Sequence, residues 1–165
     1  MDLMRELGAM AFASRLRRLS DRLKSEATRL YQARGIDFND SWFLLAFMLS
    51  KHEGITIKEV SDALGVSHSA ISQMASAMKH KKLIESRQDA RDRRRTLLFL
   101  SEEGKSAVKA LQPIWTAVGN HTERLISQTG EDVLSALTEM EKKIEEKDLF
   151  TRVTEQGVIN SPDQL

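Results

Sequence analysis

This sequence predicts a mostly α-helical protein with a small β wing, and three observations carry that expectation. Only 2 prolines and 8 glycines interrupt 165 residues, leaving long charged-apolar runs of helical period. Between Thr56 and Glu85 two short amphipathic runs meet across Gly65. Directly after them, the apolar segments Leu83 to Arg87 and Thr96 to Leu100 bracket a polar, arginine-rich loop. Two helices across a glycine turn, followed by a basic hairpin, make a winged helix-turn-helix, a unit whose dominant use is gripping duplex DNA.

Taken in order, Leu7 to Ala33 reads as one long helix, because Leu16, Leu19, Leu23, Leu30 and Tyr31 recur at helical spacing among arginines. Gly35 ends it. Asn39 or Asp40 opens a second helix, Ser41 to Lys51, apolar on most sides and so expected to be buried. Thr56 and Glu59 have capping-box spacing and start the third helix, with Val60, Ala63 and Leu64 as its apolar face. Gly65 supplies the turn and Ser67 caps a fourth helix that turns Ile71, Met74, Ala75 and Met78 inward. The hairpin follows. Ser101, with Glu102 and Glu103, then opens a long fifth helix, expected to kink near Pro113. Thr129 and Asp132 open a sixth, carrying Val133, Leu137, Met140 and Ile144. The organisation expected is a helical dimerisation region (1–36 and 101–150), a winged lobe (37–100) and a disordered tail (157–165).

Apolar content of 41% and charged content of 30% suit a soluble globular chain. With no cysteine, disulfides and thiol-based redox sensing are excluded. The charged N-terminus does not read as a signal peptide, and the longest apolar run, Trp42 to Leu49, is too short to span a bilayer. These features point to the cytoplasm, without membrane association. A net charge of +1 conceals a polarised chain: Lys79 to Arg95 carries +5, Thr122 to Leu165 carries −5. A polyanion responds to the local field, so the neutral total does not argue against nucleic acid.

If Ile71, Met74 and Met78 point inward, His68, Ser69, Ser72, Gln73 and Ser76 point outward, a short polar face almost free of charge. Hydroxyl and amide groups both donate and accept, as base edges and phosphates require. Asp92 lies close enough to Arg94 to orient its guanidinium for a narrow minor groove, while Arg87, Arg91, Arg93 and Arg95 are expected to add contacts along the DNA backbone. The candidate DNA-binding set is therefore Ser67, His68, Ser69, Ser72, Gln73, Ser76, Arg91, Arg93 and Arg94.

The element order, the turn Ala63-Leu64-Gly65-Val66-Ser67, and Asp92-Arg93-Arg94 followed by Leu97 to Gly104 resemble the MarR family of bacterial transcription regulators, over about Leu7 to Ile144. The resemblance implies a homodimer joined through its first, fifth and sixth helices, with Arg94 as the minor-groove finger. Two-fold symmetry then predicts a pseudo-palindromic operator. Lys82 departs from the pattern, since the family has glycine between recognition helix and wing, and a blunter bend is expected there. The resemblance also implies a small-molecule effector bound near Trp42, Phe43, Phe47 and Trp115, although aromatics at helical spacing more often form plain core.

The four histidines are not paired at ligand spacing, so no metal site is expected, and no cofactor or catalytic motif is evident. The reading favoured is a homodimeric repressor released by an effector. Alternatives are a dimeric interaction or architectural DNA-binding protein without effector control, or a regulatory module related to MarR-acetyltransferase fusions. Gly35 to Phe38 and Trp42-Phe43 are similar to such fusions, but a catalytic domain needs well over a hundred further residues, so with the sequence stopping at Leu165 a fused enzyme is not expected.

Overall fold

The computed structural model describes residues 1–157; the tail expected to be disordered lies, apart from Gly157, outside them. The chain divides into two compact units, Met1–Val118 and Gly119–Leu165. In the first unit the N-terminal helix expected from Leu7 starts only at Phe12. A short α1 (Leu3–Glu6) and a 3-10 turn (Gly8–Ala11) precede α2 (Phe12–Ala33). Gly8 sits at φ +55°, which a helix cannot continue through, and the chain folds back so that Arg18 donates twice to the Asp2 carboxylate at 3.0 and 3.1 Å. α2 buries only Ala27 and Tyr31, leaving Leu16, Leu19, Leu23 and Leu30 exposed.

The second predicted helix begins as a 3-10 turn (Asp40–Trp42), where the Asn39 side chain accepts from the Ser41 amide, and becomes α3 (Phe43–Lys51). It is less buried than its composition suggests: Leu45, Ala46 and Leu49 are enclosed, but Leu44 and Phe47 are exposed. Thr56 and Glu59 form the expected reciprocal capping box at the start of α4 (Ile57–Leu64). Gly65 takes the left-handed conformation at φ +63°, and Ser67 caps α5 (His68–His80) by accepting from the Ala70 amide. Val60 and Ser61 are buried beneath the turn, whereas Ala63, expected on the apolar face, is exposed, as is Val66. The Ser61 hydroxyl donates to the Lys58 carbonyl at 2.9 Å, which satisfies it within its own helix.

The wing is a three-stranded antiparallel sheet rather than a lone hairpin. Its order is β1 (Ile55–Thr56), β3 (Thr96–Leu100), β2 (Ile84–Gln88), with Ile84 opposite Leu100 and Gln88 opposite Thr96. The first of these, only two residues long, gave no periodic signal. β2 starts one residue later than expected because Leu83 belongs to the end of α5. There the Leu83 amide donates to the Met78 carbonyl and the Lys82 amide to the Lys79 carbonyl, the paired bonds of a Schellman terminus. Lys82 occupies its left-handed position at φ +57°. The bend is therefore made in full despite the missing glycine, at the steric cost that a side chain incurs in that conformation.

That bend is fastened to α6 (Glu102–Ser127). Ser101 donates its hydroxyl to the Lys82 carbonyl, its hydroxyl oxygen accepts from the Gly104 amide, and its own amide donates to the Leu83 carbonyl. α6 continues through Pro113 as one helix. Its Leu111 and Ile114 join Tyr31, Leu45, Val60, Ile71, Met78 and Leu98 in a single core, each full burial of a large side chain contributing roughly 1.5–3 kcal/mol.

In the second unit Asp132 caps α7 (Val133–Glu146) and Asp148 caps α8 (Leu149–Thr154), a short helix absent from the sequence expectation. Arg152 donates to the carbonyls of Lys143 and Lys147, closing α8 against the end of α7. Among the described residues of this unit none is buried, and Leu125, Leu134, Met140, Ile144, Leu149 and Phe150 expose apolar surface.

Candidate nucleic-acid interface

α5 divides cleanly into two faces. Ile71, Ala75 and Met78 are buried, with Met74 half-buried, and anchor it on the core. His68, Ser69, Gln73 and Ser76 are exposed and Ser72 is half-buried, so the five candidate readers share the outward face. Ser67 lies at the N-terminal cap, 3.0 Å from the Ser69 hydroxyl, where the free amides of the first turn favour an anion.

The wing loop is held by its own aspartates. Asp89 accepts from the Arg91 amide at 2.8 Å, and the Asp89 amide donates to the Arg95 carbonyl at 2.9 Å. The Asp92 carboxylate accepts three bonds from Arg94: amide at 3.0 Å, Nε at 3.1 Å and one Nη at 3.3 Å. The Arg94 guanidinium hydrogen bonds, with the amide bond second, hold the Asp92 carboxyl below its ordinary range. The Arg94 side chain is nevertheless 92% exposed, so it is aimed without being covered. Arg91 and Arg93 are also exposed and form no ion pair with the described residues.

Two other basic residues expected along the DNA backbone are engaged within the protein. Arg87 pairs with Glu85 and lies over the Phe99 ring, 5.2 Å from its centroid. Arg95 donates to Glu59 on α4 at 2.7 Å. Between α5 and the wing, a cleft of about 650 Å³ brings His68 together with Lys58, Glu59, Arg94 and Arg95. Residues from separate ends of the lobe thus line one concave, mainly cationic surface.

The lobe that carries this surface also matches a known pattern: the model of the MarR family matches residues 36–95, from the end of α2 to the last wing arginine. Residues 36–95 are thus similar to the MarR family. The matched segment contains α5 and the whole wing loop. A curated relative, the transcriptional repressor MprA of Escherichia coli, is 26% identical over 134 residues, covering 75% of each chain. Among solved structures, that of the S. aureus MepR–DNA complex superposes with a TM-score of 0.65 at 24% identity, over 80% of this chain and 97% of MepR. Bordetella bronchiseptica BpsR, whose DNA binding is regulated by 6-hydroxynicotinic acid, superposes with a TM-score of 0.61 at 18% identity, over 83% and 94%. These likenesses establish the winged-helix fold.

The candidate effector residues meet in one aromatic cluster. Trp115 lies 4.9 Å from Phe43 and 6.5 Å from Phe47, centroid to centroid, and Phe38 bridges Trp42 and Trp115 at 5.6 and 6.1 Å. Trp42 and Trp115 are half-buried against the core, Phe43 is half-buried and Phe47 is exposed. The buried Trp115 Nε1 makes no well-formed hydrogen bond among the described residues, but it lies close enough to the Tyr31 hydroxyl to oppose the rise in that group's pKa. Beside this cluster the Tyr31 hydroxyl donates to Asp40 at 2.6 Å, and burial, then that carboxylate, push the Tyr31 pKa upward. Sequence reasoning missed the Tyr31–Asp40 and Arg95–Glu59 pairs, since neither partner shows a spacing that announces the other.

Proposed function

We propose that the chain is a sequence-specific, double-stranded-DNA-binding transcription regulator, a homodimeric repressor released by a small-molecule effector and acting in the cytoplasm. The observation that carries this reading is Arg94, held by three bonds to Asp92 yet 92% exposed, beside the uncharged reading face of α5. A fixed, exposed guanidinium costs little to order on binding and suits a narrow, strongly negative minor groove. His68, Ser69, Ser72, Gln73 and Ser76 face the major groove, and Ser67, Arg91 and Arg93 contact phosphates. MprA's repressor function and MepR's complex with DNA support the assignment.

Dimerisation rests on surface that this chain cannot cover alone: the exposed leucines of α2, and a second unit with no buried residue among those described. The segments 1–36 and 101–150 form the dimerisation region on this reading, with 37–100 as the DNA-binding lobe. The regulation of BpsR by an aromatic acid supports effector control, with Trp42, Phe43, Phe47 and Trp115 as the pocket residues on this reading.

Selection of bound duplexes from a random pool tests the function. The expected consensus is a pseudo-palindrome with half-sites roughly 10 base pairs apart, bound by two chains. Failure to enrich any sequence, or a single asymmetric site bound by one chain, would overturn it.

A further inference from the structure

Arg95 is the wing's last arginine, and composition alone makes it one more cation for the phosphate backbone. Its surroundings oppose that role. Its guanidinium donates to Glu59 Oε1 at 2.7 Å, and both side chains are about half exposed, 46% and 49%. The Glu59 carboxylate is itself held. Its second oxygen accepts from the Thr56 amide and the Thr56 hydroxyl, each at 2.8 Å, and Thr56 belongs to β1, paired with Leu97 of β3. Arg95 therefore reaches from the wing loop to a carboxylate fixed in the first turn of a helix.

We propose that Glu59 and Arg95 form a strut that sets the aim of the wing, making both residues positioning residues for Arg94 rather than DNA contacts. The chain of bonds is continuous. The Arg95 amide donates to the Asp92 carbonyl at 2.9 Å, the Asp92 carboxylate grips Arg94, and the Arg95 carbonyl accepts from the Asp89 amide across the loop. Displacing Arg95 shifts both ends of the loop that carries Arg94. The proposal rests on the DNA-binding reading for its consequence, while the strut itself exists in the free protein.

The two roles predict opposite signs at Glu59. Removing an acid near a polyanion strengthens binding if electrostatics alone operate, and weakens it if the acid anchors the wing. Glu59→Gln isolates the effect, because glutamine still completes a capping box but carries no charge. Duplex binding by wild type, Arg95→Ala, Glu59→Gln and the double variant is measured on one selected duplex over a range of salt. Each single variant is expected to weaken binding about two- to fivefold, the span set by exposed ion pairs. The double variant should be no weaker than either, with the salt slope unchanged. Unchanged or tighter binding by Glu59→Gln, together with a slope about 0.9 shallower for Arg95→Ala, would make Arg95 a phosphate contact and overturn the strut. Without DNA, hydrogen exchange at the Asp89 and Arg95 amides should accelerate in both single variants, and unchanged exchange would also overturn it. If the wild type binds no duplex, the DNA-binding reading fails and the exchange measurement alone decides the strut.

Discussion

Gly104→Ala is expected to destabilise the protein although the position is helical. In an ordinary helix interior, alanine is favoured over glycine by about 1 kcal/mol. Gly104, however, lies against the bend that ends α5. A Cβ built there falls 2.9 Å from the Leu83 carbonyl carbon and only 1.9 Å from its oxygen, the latter more than an ångström inside the 3.0 Å that real Cβ atoms respect. The obstacle is backbone, so no rotamer relieves it. Overpacking of this kind costs about 1–3 kcal/mol. Displacing the Leu83 carbonyl also weakens its bond from the Ser101 amide at 3.1 Å, a further loss of about 1 kcal/mol. Offset by the helix propensity, the net destabilisation is about 1–3 kcal/mol. The assay is urea unfolding at one fixed chain concentration, because dimerisation would couple stability to concentration. Gly119→Ala on the same helix, where a Cβ meets nothing within 4 Å, serves as the control and should stabilise by up to about 1 kcal/mol. A Gly104→Ala protein as stable as wild type would refute the close approach of α6 to the end of α5.

Lys82→Gly should stabilise by about 1 kcal/mol in the same assay, since φ +57° is strained for lysine and free for glycine; a loss of stability would contradict the Schellman terminus. Tyr31→Phe should lower stability by about 1.5 kcal/mol, because it removes the 2.6 Å bond to Asp40 from a side chain only 1% exposed; an unchanged unfolding midpoint would count against that bond. The Glu59 carboxyl is held below its ordinary range, first by the Thr56 amide and hydroxyl and then by Arg95. A depressed native pKa contributes stability that is fully present above the unfolded value of about 4.3 and is lost as pH falls through the native one. Unfolding midpoints measured from about pH 6 to pH 2.5 should therefore fall less steeply in Glu59→Gln than in wild type, and parallel curves would refute the coupling.

The helix-turn-helix was legible because its signals are local. Thr56 and Glu59, Gly65, and Ser67 each announce a cap or turn within a few residues, and each does so in the structure. The two hairpin strands of the wing were legible within one residue, whereas the two-residue β1 was not. The start of α2 was not: the spacing of leucines begins only at Leu16 and cannot fix the helix start, and only the distant Asp2–Arg18 pairing reveals the fold-back at Gly8. α3 misled for a related reason: composition marks it as buried all round, while Leu44 and Phe47 face outward. At the site, Asp92 and Arg94 are two residues apart and could be paired on sight. Arg95 and Glu59 are 36 apart, and nothing in either neighbourhood separates an inward-tied arginine from an outward one. The bend at Lys82 was misjudged because residue type was read as geometry, whereas the bonds from Leu83 and Lys82 back into α5 fix the conformation.

The central claim, that a clamped arginine on the wing and a polar helix face together read duplex DNA, is tested most directly by comparing Arg94→Ala with Arg93→Ala. Both are titrated on one selected A·T-rich duplex at several salt concentrations, after circular dichroism and sedimentation show that fold and assembly are unchanged. Arg94→Ala should weaken binding roughly ten- to hundredfold, and by more than Arg93→Ala, whose loss should be modest, alike on unrelated duplexes, and accompanied by a salt slope shallower by about 0.9. Equal losses from the two variants, with no dependence on duplex sequence, would reduce the wing to a diffuse basic patch and contradict the account.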